Sequence, residues 1–285
     1  MPTLRLVEAG NPEPANADAA HIEDWLGNAT SPNTQDAYRR DVLAFWAFCQ
    51  QRPWASLQVR DVLAWRDSMD AAPNTVRRRL AAVKSVCTYM HNVGHLTINF
   101  AAVVKLPAAP NELAQRILPR DDIGRMIDAA RCARDKALLM LGATCGVRAD
   151  EFGGLQWRAL TGTTLAVFGK GGRTRHIGVD PITMAALNAL RDASTPADQP
   201  IFIGRQGPQG LCRSMVGRIV KKAAIDAGLS PAVSAHWLRH FFGTEALAQP
   251  GAQLAAVSRA MGHASPTTTM GYVHINPTSM VPGFG

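Results

Sequence analysis

The segment from Pro107 to Pro119 constrains the fold most, because the sequence before it and the sequence after it predict different secondary structure. It holds three prolines and an Asn-Glu pair, a composition typical of a linker between domains. At 285 residues the chain is long enough for two ordinary domains. We therefore predict two domains joined by a linker at residues 107–119.

Helical periodicity dominates the half before this linker. Apolar residues recur at intervals of three and four, and Ser31-Pro32 and Pro73 stand where helices begin. The predicted helices cover 19–27, the stretch from Pro32 to Cys49, 57–69, and 73 to Gly94. We predict a flexible leader at residues 1–18, followed by a small all-helical domain at residues 19–106.

The half after the linker mixes helices with a hairpin. Two strands, 163–168 and 173–179, flank the turn sequence Gly169-Lys170-Gly171-Gly172. Helices are predicted at 121–132, 135–144, from Pro181, and at 211–227, 234–249 and 253–261. The fold class is mainly α, and residues 120–285 should form an α+β domain with a small antiparallel sheet.

The charge favours an anionic partner. The formal net charge is +8 and the pI is about 9.7, which fits nucleic acid, an acidic protein or a lipid surface. Only eleven of the 30 basic residues precede residue 111, against ten of the 22 acidic ones. Most of the positive excess therefore lies in the second half.

The sequence gives no sign of export, membrane insertion or zinc binding. No apolar run approaches about 18 residues, and the N-terminus has no apolar signal core. The five cysteines show no C-x-x-C spacing. We expect a cytoplasmic protein with reduced thiols, no metal, no cofactor and no membrane partner.

Four sequence clusters of the second half carry candidate catalytic groups. Tyr272 is one of three tyrosines and lies in a polar, threonine-rich stretch nine residues after Gly262-His263. Upstream lie the runs Cys145-Gly-Val-Arg148-Ala-Asp-Glu151, Gly169-Lys170-Gly171 and His236-Trp-Leu-Arg239-His240. Two arginines, a lysine and two histidines are the groups needed to hold a phosphodiester and move its protons.

A tyrosine hydroxyl can exchange one phosphoester for another, so that a cut strand is rejoined without ATP. The order Arg148, Lys170, His236-x-x-Arg239, Gly-His263, Tyr272 resembles that of the tyrosine recombinases, the phage-integrase and Xer-type family. The resemblance implies an N-terminal SAM-like core-binding domain and a C-terminal catalytic domain.

The resemblance also implies a role for each side chain. Tyr272 forms a 3′-phosphotyrosyl link, with His236 as the group expected to assist it. The remaining candidates hold the phosphate oxygens or protonate the leaving 5′ oxygen: Arg148, Arg239 and His263 for the first task, Lys170 for the second.

DNA contacts are expected on both domains. On the last helix of the first domain, basic side chains fall away from the apolar stripe, which indicates either a solvated face or phosphate contacts; the resemblance favours the second reading. The predicted DNA-binding residues are Arg77, Arg78, Arg79, Lys84, Arg173 and Arg175.

The predicted function is site-specific recombination through a Holliday junction, on a mobile element or in resolution or inversion. The expected partner is double-stranded DNA with inverted-repeat core sites, bound by a dimer per site and a homotetramer on two sites, in association with the nucleoid. Two alternatives stay open: a type IB topoisomerase, which uses a similar tyrosine pocket as a monomer, and an inactive relative that only binds DNA.

Overall fold

A computed structural model describes residues 14–29, 31–108, 116–169, 172–204, 207–262, 269–270 and 272. The chain separates into two compact units, Met1–Asn111 and Glu112–Gly285. This boundary falls inside the segment predicted as a linker. The predicted fold class is confirmed, since the described residues are mainly helical with one small antiparallel sheet.

In the part that the structure describes, the first unit contains four α-helices: α1 (Pro14–Gly27), α2 (Pro32–Phe48), α3 (Val59–Asp67) and α4 (Pro73–Asn92). Proline opens α2 and α4 at the first turn, where its missing N–H costs no helical hydrogen bond. The apolar stripe of α4 is buried, including Leu80, Val83 and Cys87. The periodicity of the sequence therefore placed these helices correctly.

Helix α1 begins earlier than predicted, so the predicted leader at residues 1–18 is too long. The reason is Asp18, which is buried. One carboxylate oxygen accepts a hydrogen bond from the backbone N–H of Trp54 at 3.0 Å, and the other lies 2.6 Å from Nε2 of His95. These contacts fix the first turns of α1 against the rest of the unit.

The second unit contains six helices among its described residues. They are α5 (Arg120–Asp128), α6 (Ala133–Cys145), α7 (Pro181–Asn188), α8 (Arg213–Asp226), α9 (Ala235–Ala248) and α10 (Leu254–Met261). Helix α6 is apolar on almost all sides and buried along its length, as expected of a helix at the centre of a domain. It packs against α5, α7 and α9.

The sheet has three antiparallel strands in the order β1 (Leu160–Thr161), β2 (Thr164–Phe168) and β3 (Thr174–Gly178). The predicted hairpin is β2–β3, in which Val167 pairs with Arg175. The sequence did not predict β1, because two residues show no period. Alternation along β3 turns Arg175 and Ile177 inward.

Among the described residues, no helix combines the length and the apolar character that crossing a membrane requires.

Candidate active site

Three arginines from different parts of the second unit converge on the C-terminal end of α10. The last carbonyl groups of a helix have no partner within the helix and carry partial negative charge. Nε of Arg175 donates to the carbonyl of Ala260 at 2.9 Å, and Nη2 of Arg239 donates to that of Met261. Nη2 of Arg148 donates to the carbonyl of Gly262 at 2.7 Å. Consecutive carbonyls of one helix end thus hold three guanidinium groups together.

Two glycines make this arrangement possible. Gly146 ends α6 and Gly262 ends α10, each with a φ of 61°, a left-handed conformation that favours glycine. The carbonyl of Gly146 accepts a hydrogen bond from Nη1 of Arg239 at 2.7 Å. A Cβ atom on Gly146 would lie 2.4 Å from the ring of Phe242. Any side chain there would displace the helix end that binds Arg239.

Glu151 links two of the arginines. Its Oε1 accepts hydrogen bonds from Nη1 of Arg148 at 2.9 Å and from Nη1 of Arg175 at 2.7 Å. Its Oε2 accepts from the backbone N–H of Arg148 at 2.8 Å and from Nη2 of Arg175 at 2.6 Å. Burial opposes the charge of Glu151, but these bonds hold the pKa of its carboxyl below the usual value.

The cluster keeps an excess of positive charge in a buried place. Arg148 and Arg175 hydrogen-bond the carboxylate of Glu151, whereas Nη1 of Arg239 donates to the backbone carbonyl of Gly146. Burial, then the charges of Arg148 and Arg175, lower the pKa of Arg239 to about 10. Burial and the charge of Arg239 also lower the pKa of His236. Such a site is electrostatically suited to bind an anion with several oxygens.

Tyr272 lies beside this cluster. Its side chain is 4% exposed and packs with Val257 and Met261 of α10. Its hydroxyl oxygen lies 2.6 Å from Nδ1 of His240. Burial raises the pKa of Tyr272, and the charge of Arg239 opposes that rise. The phenol is therefore neutral in this state and lies within the field of the arginines.

The histidine at the phenol hydroxyl is not the one that the sequence predicted. His240 takes the place expected for His236, whose ring lies against that of His240 with centroids 4.3 Å apart. The spacing of four residues on α9 puts both rings on one face of the helix. This i, i+4 pair was visible in the sequence, but the resemblance directed attention to His236 alone.

Lys170 and His263, two of the predicted catalytic residues, lie outside the described residues. The residues that precede them, Gly169 and Gly262, are described. A Cβ atom built on Gly169 would lie 3.2 Å from Nη1 of Arg175, and one built on Gly262 would lie 3.1 Å from Cδ of Arg175. The backbone positions that precede Lys170 and His263 thus both approach the side chain of Arg175.

This position of Arg175 corrects the prediction that it contacts DNA. The residue is 9% exposed, and Nε, Nη1 and Nη2 all donate to groups of the protein. The guanidinium joins β3 to Glu151 and to the end of α10. The sequence did not predict this position, because Arg175 was interpreted as a basic residue of an exposed hairpin. The alternation of β3 turns its side chain inward instead. Arg173, the other predicted residue of the hairpin, is exposed.

Lys84 also departs from its predicted role in DNA binding. Its Nζ donates to three backbone carbonyls, those of Ala101 at 3.0 Å, Ala102 at 2.6 Å and Val104 at 2.6 Å. An ammonium group has three hydrogens to donate. Lys84 therefore fastens the chain after α4 instead of presenting its charge outward.

The three arginines of α4 remain at the surface. Arg77 and Arg78 are exposed and Arg79 is half-buried. Nη1 of Arg77 donates to the carbonyl of Pro107 at 2.8 Å, and Arg78 forms an ion pair with the buried Asp41. Nε of Arg79 lies 3.9 Å from the same carboxylate. Their role in DNA binding stays a prediction.

Comparison with known families agrees with this fold and site. The family described as "Phage integrase family" matches residues 116–279, and "Phage integrase, N-terminal SAM-like domain" matches residues 23–92. The chain belongs to the phage integrase family and is a tyrosine-type site-specific recombinase.

Individual relatives cover nearly the whole chain. Tyrosine recombinase XerC of Xanthomonas campestris pv. campestris (strain B100) is 32% identical over 280 residues, which is 92% of this chain and 86% of the relative. Two solved structures share the fold: a lambda integrase(75-356) dimer bound to a COC′ core site, and a lambda integrase tetramer bound to a Holliday junction. The first has a TM-score of 0.75 at 15% identity, covering 89% of this chain and 96% of the other. The second has a TM-score of 0.72 at 15% identity, covering 92% and 84%.

Proposed function

We propose that this recombinase cuts and rejoins specific DNA sites through a 3′-phosphotyrosyl bond to Tyr272, with a Holliday junction as intermediate. The observation that carries the proposal is the arginine cluster at the end of α10, beside the buried phenol. A phosphate undergoing substitution gains negative charge on its non-bridging oxygens. A preformed group of guanidiniums stabilises that charge.

Within this proposal Arg148 and Arg239 bind the scissile phosphate. Planar guanidinium groups can each donate to two oxygens with fixed geometry. Glu151, itself bound by Arg175, orients Arg148, and the carbonyls of Gly146 and Met261 hold Arg239. We assign Lys170 to protonation of the leaving 5′ oxygen and His263 to a hydrogen bond with the phosphate. We assign His236 to electrostatic support, since its ring lies against that of His240.

We further infer that the site rearranges when DNA binds. Arg239 is 1% exposed and Tyr272 is 4% exposed. A phosphate of duplex DNA cannot reach either group at that degree of burial, so the groups that cover these two side chains must move to admit it. The hydrogen bonds that Arg239 makes with the carbonyls of Gly146 and Met261 are the contacts that a phosphate would replace.

For the assembly, we propose one dimer on each inverted-repeat core site and a homotetramer on two sites. Support comes from the structural likeness to the lambda integrase dimer on a core site and the tetramer on a Holliday junction. We place the activity at the nucleoid, where chromosomal and mobile-element DNA lie. The helical domain, predicted at residues 19–106, would bind one face of the duplex through Arg77, Arg78 and Arg79, and Arg173 would contact a phosphate near the hairpin.

A nicked suicide duplex tests the chemistry. Cleavage near a nick releases a short strand and leaves the protein attached, so the covalent complex accumulates on a denaturing gel. After the cleavage site has been mapped on DNA flanking the gene, Tyr272→Phe should abolish the adduct while DNA affinity stays nearly unchanged. Tyr89→Phe on α4 is the matched control and should form the adduct at the wild-type rate.

The same duplex separates the alternatives. A wild-type protein that never forms an adduct would be a DNA-binding relative without activity. An adduct without exchange between two sites, together with relaxation of supercoiled plasmid by a monomer, would indicate a topoisomerase. A Tyr272→Phe variant that still traps DNA would contradict the proposed nucleophile.

A further inference from the structure

We infer that His240 is the group that takes the proton from the Tyr272 hydroxyl during cleavage and returns it during rejoining. This inference rests on the proposed function and adds a catalytic residue to it. The observation behind it is direct contact with the reacting atom, since Nδ1 of His240 lies 2.6 Å from the phenol oxygen. That distance is within the range for a proton transfer partner.

The surroundings favour a hydrogen bond in which the phenol donates. His240 is 6% exposed and Tyr272 is 4% exposed, so bulk water does not compete for the hydroxyl. A neutral imidazole has one nitrogen with a lone pair that accepts well, whereas a phenol donates readily. The tautomer with hydrogen on Nε2 leaves Nδ1 as that acceptor. His240 then holds the nucleophile and is ready to receive its proton.

A proton acceptor is needed here because the site does not ionise the phenol by itself. Burial raises the pKa of Tyr272, and Arg239 only partly opposes this. An unperturbed tyrosine already has a pKa of about 10, so at neutral pH nearly every phenol is protonated. Attack on phosphorus therefore requires that the proton leave as the new bond forms.

The neighbouring groups suit a histidine that gains charge only briefly. Arg239 precedes His240 on α9, and the ring of His236 lies against that of His240. Burial, and then the charge of Arg239, lower the pKa of His236. The same guanidinium charges repel any positive charge that forms on a ring beside them. The incoming phosphate supplies negative charge at the moment when His240 becomes positive. The imidazolium is therefore favoured in the loaded site and disfavoured in the empty one.

The step balances in both directions. In cleavage, the Tyr272 hydroxyl proton moves to Nδ1 of His240, the bond from the phenol oxygen to phosphorus forms, and the bond from phosphorus to the 5′ oxygen breaks. The 5′ oxygen takes its proton from a separate donor, which the proposed function assigns to Lys170. In rejoining, a 5′ hydroxyl gives its proton to the group that acted as donor in cleavage, its oxygen bonds to phosphorus, the bond from phosphorus to the phenol oxygen breaks, and His240 returns its proton to the phenolate.

A suicide duplex with sulfur in place of the bridging 5′ oxygen separates the two proton transfers. A thiolate leaves without protonation, so this substrate removes the need for a leaving-group acid but not for a base on the nucleophile. His240→Asn is the variant of choice, because its amide can keep a hydrogen bond near the Nδ1 position but cannot accept a proton. We expect its single-turnover cleavage to fall by about 10²-fold or more on both the oxygen and the sulfur substrates.

Lys170→Ala and His236→Asn are the comparison variants. Lys170→Ala should be slow on the oxygen substrate and recover on the sulfur substrate. The inference is overturned if His240→Asn cleaves at the wild-type rate or faster, or if sulfur rescues it. It is also overturned if His236→Asn has the defect on both substrates and His240→Asn has none. Tyr272→Phe must lose the adduct in the same assay; if it does, failure at His240 leaves the proposed function standing.

The protonation state of His240 can also be measured in the wild-type protein, so the test does not depend on a variant that folds. Long-range ¹H–¹⁵N correlation spectra of the histidine-labelled protein report which ring nitrogen carries hydrogen. We expect the His240 resonances to show a protonated Nε2 and an unprotonated Nδ1 at neutral pH. A His240 ring with hydrogen on Nδ1 would donate to the phenol, and it would overturn the inference without any substitution.

Discussion

The two basic clusters of this protein use the same residue type in opposite ways. Around the end of α10, Arg148, Arg175 and Arg239 are partly or wholly buried and hydrogen-bond backbone carbonyls, and the first two also bind the carboxylate of Glu151. Along α4, Arg77 and Arg78 lie at the surface, and Arg78 and Arg79 both face the carboxylate of Asp41. Charge is concentrated in the first cluster and dispersed in the second.

The two clusters differ in how an anion affects their electrostatic free energy. Screening by water and salt makes an exposed arginine contribute little to stability, but it still attracts a polyanion. A buried group of arginines repels itself, and that repulsion is relieved when an anion enters. Burial first, and then repulsion by Arg148 and Arg175, lower the pKa of Arg239 to about 10. We therefore expect substitutions in the arginine cluster at the end of α10 to lower the cleavage rate. Substitutions of the α4 arginines should lower DNA affinity.

The largest effect is expected at Arg239. Arg239→Lys keeps a charge but loses the planar guanidinium that can donate to two phosphate oxygens at once. We expect the rate of covalent complex formation to fall by about 10² to 10³-fold, as measured in single turnover on the suicide duplex. DNA affinity, measured by fluorescence anisotropy, should change by much less. An equal loss of affinity and rate would mean that the two clusters do not differ in function.

A smaller effect is expected at Arg175, which touches the cluster but is not proposed to touch DNA. Arg175→Lys loses the paired hydrogen bonds with Glu151 and the bond to Ala260, so Arg148 becomes less well positioned. We expect a loss of roughly tenfold in cleavage rate, without a change in the salt dependence of binding. A salt slope reduced by about one would show a phosphate contact, and would restore the prediction made from the sequence.

The α4 cluster offers a matched pair of substitutions. Arg77→Met should weaken DNA binding and reduce the salt slope by about one, if Arg77 contacts a phosphate. Lys84→Met should leave binding unchanged and lower the free energy of unfolding by about 1 to 3 kcal/mol, because three carbonyls lose their donor. Chemical denaturation and anisotropy at several salt concentrations measure both. The reverse pattern would show that Lys84 is released to bind DNA.

The smallest effect is a pH dependence of stability. The folded state lowers the pKa of His236 below its usual value of about 6.5, so the unfolded chain binds protons first as the pH falls. The free energy of unfolding should therefore rise with pH in the window just below 6.5. His236→Asn should flatten part of this rise, and His176→Asn, at an exposed position of β3, is the matched control. An unchanged slope in His236→Asn would contradict the lowered pKa of His236.

The fold was predictable because most elements carry local signals. Helices α2 and α4 are predicted by the prolines in their first turns. The apolar residues of α4 and α6 also predict helices. Strand β1 carries no local signal, since it is only two residues long. The first turns of α1 carry none either, because they are fixed by the contacts of Asp18 with residues distant in the chain.

In the candidate site, the sequence predicted residues that the fold brings close together, but not how they contact one another, and their catalytic roles stay predictions. Motif order identified Arg148, Arg239 and Tyr272. It did not show that Arg175 turns inward or that His240 reaches the phenol, because a strand direction and a contact 32 residues apart depend on tertiary packing. Lys84 was misjudged for the same reason, as its carbonyl partners lie 17 to 20 residues further along the chain.

Mapping the residue that bonds to DNA tests the central claim most directly. The covalent complex formed on the suicide duplex is digested with protease and nuclease, and the nucleotide-bearing peptide is sequenced by mass spectrometry. The account predicts a single adduct, a 3′-linked nucleotide on the oxygen of Tyr272. An adduct on Tyr38 or Tyr89, on a residue of another type, or on the 5′ end of the DNA would contradict it.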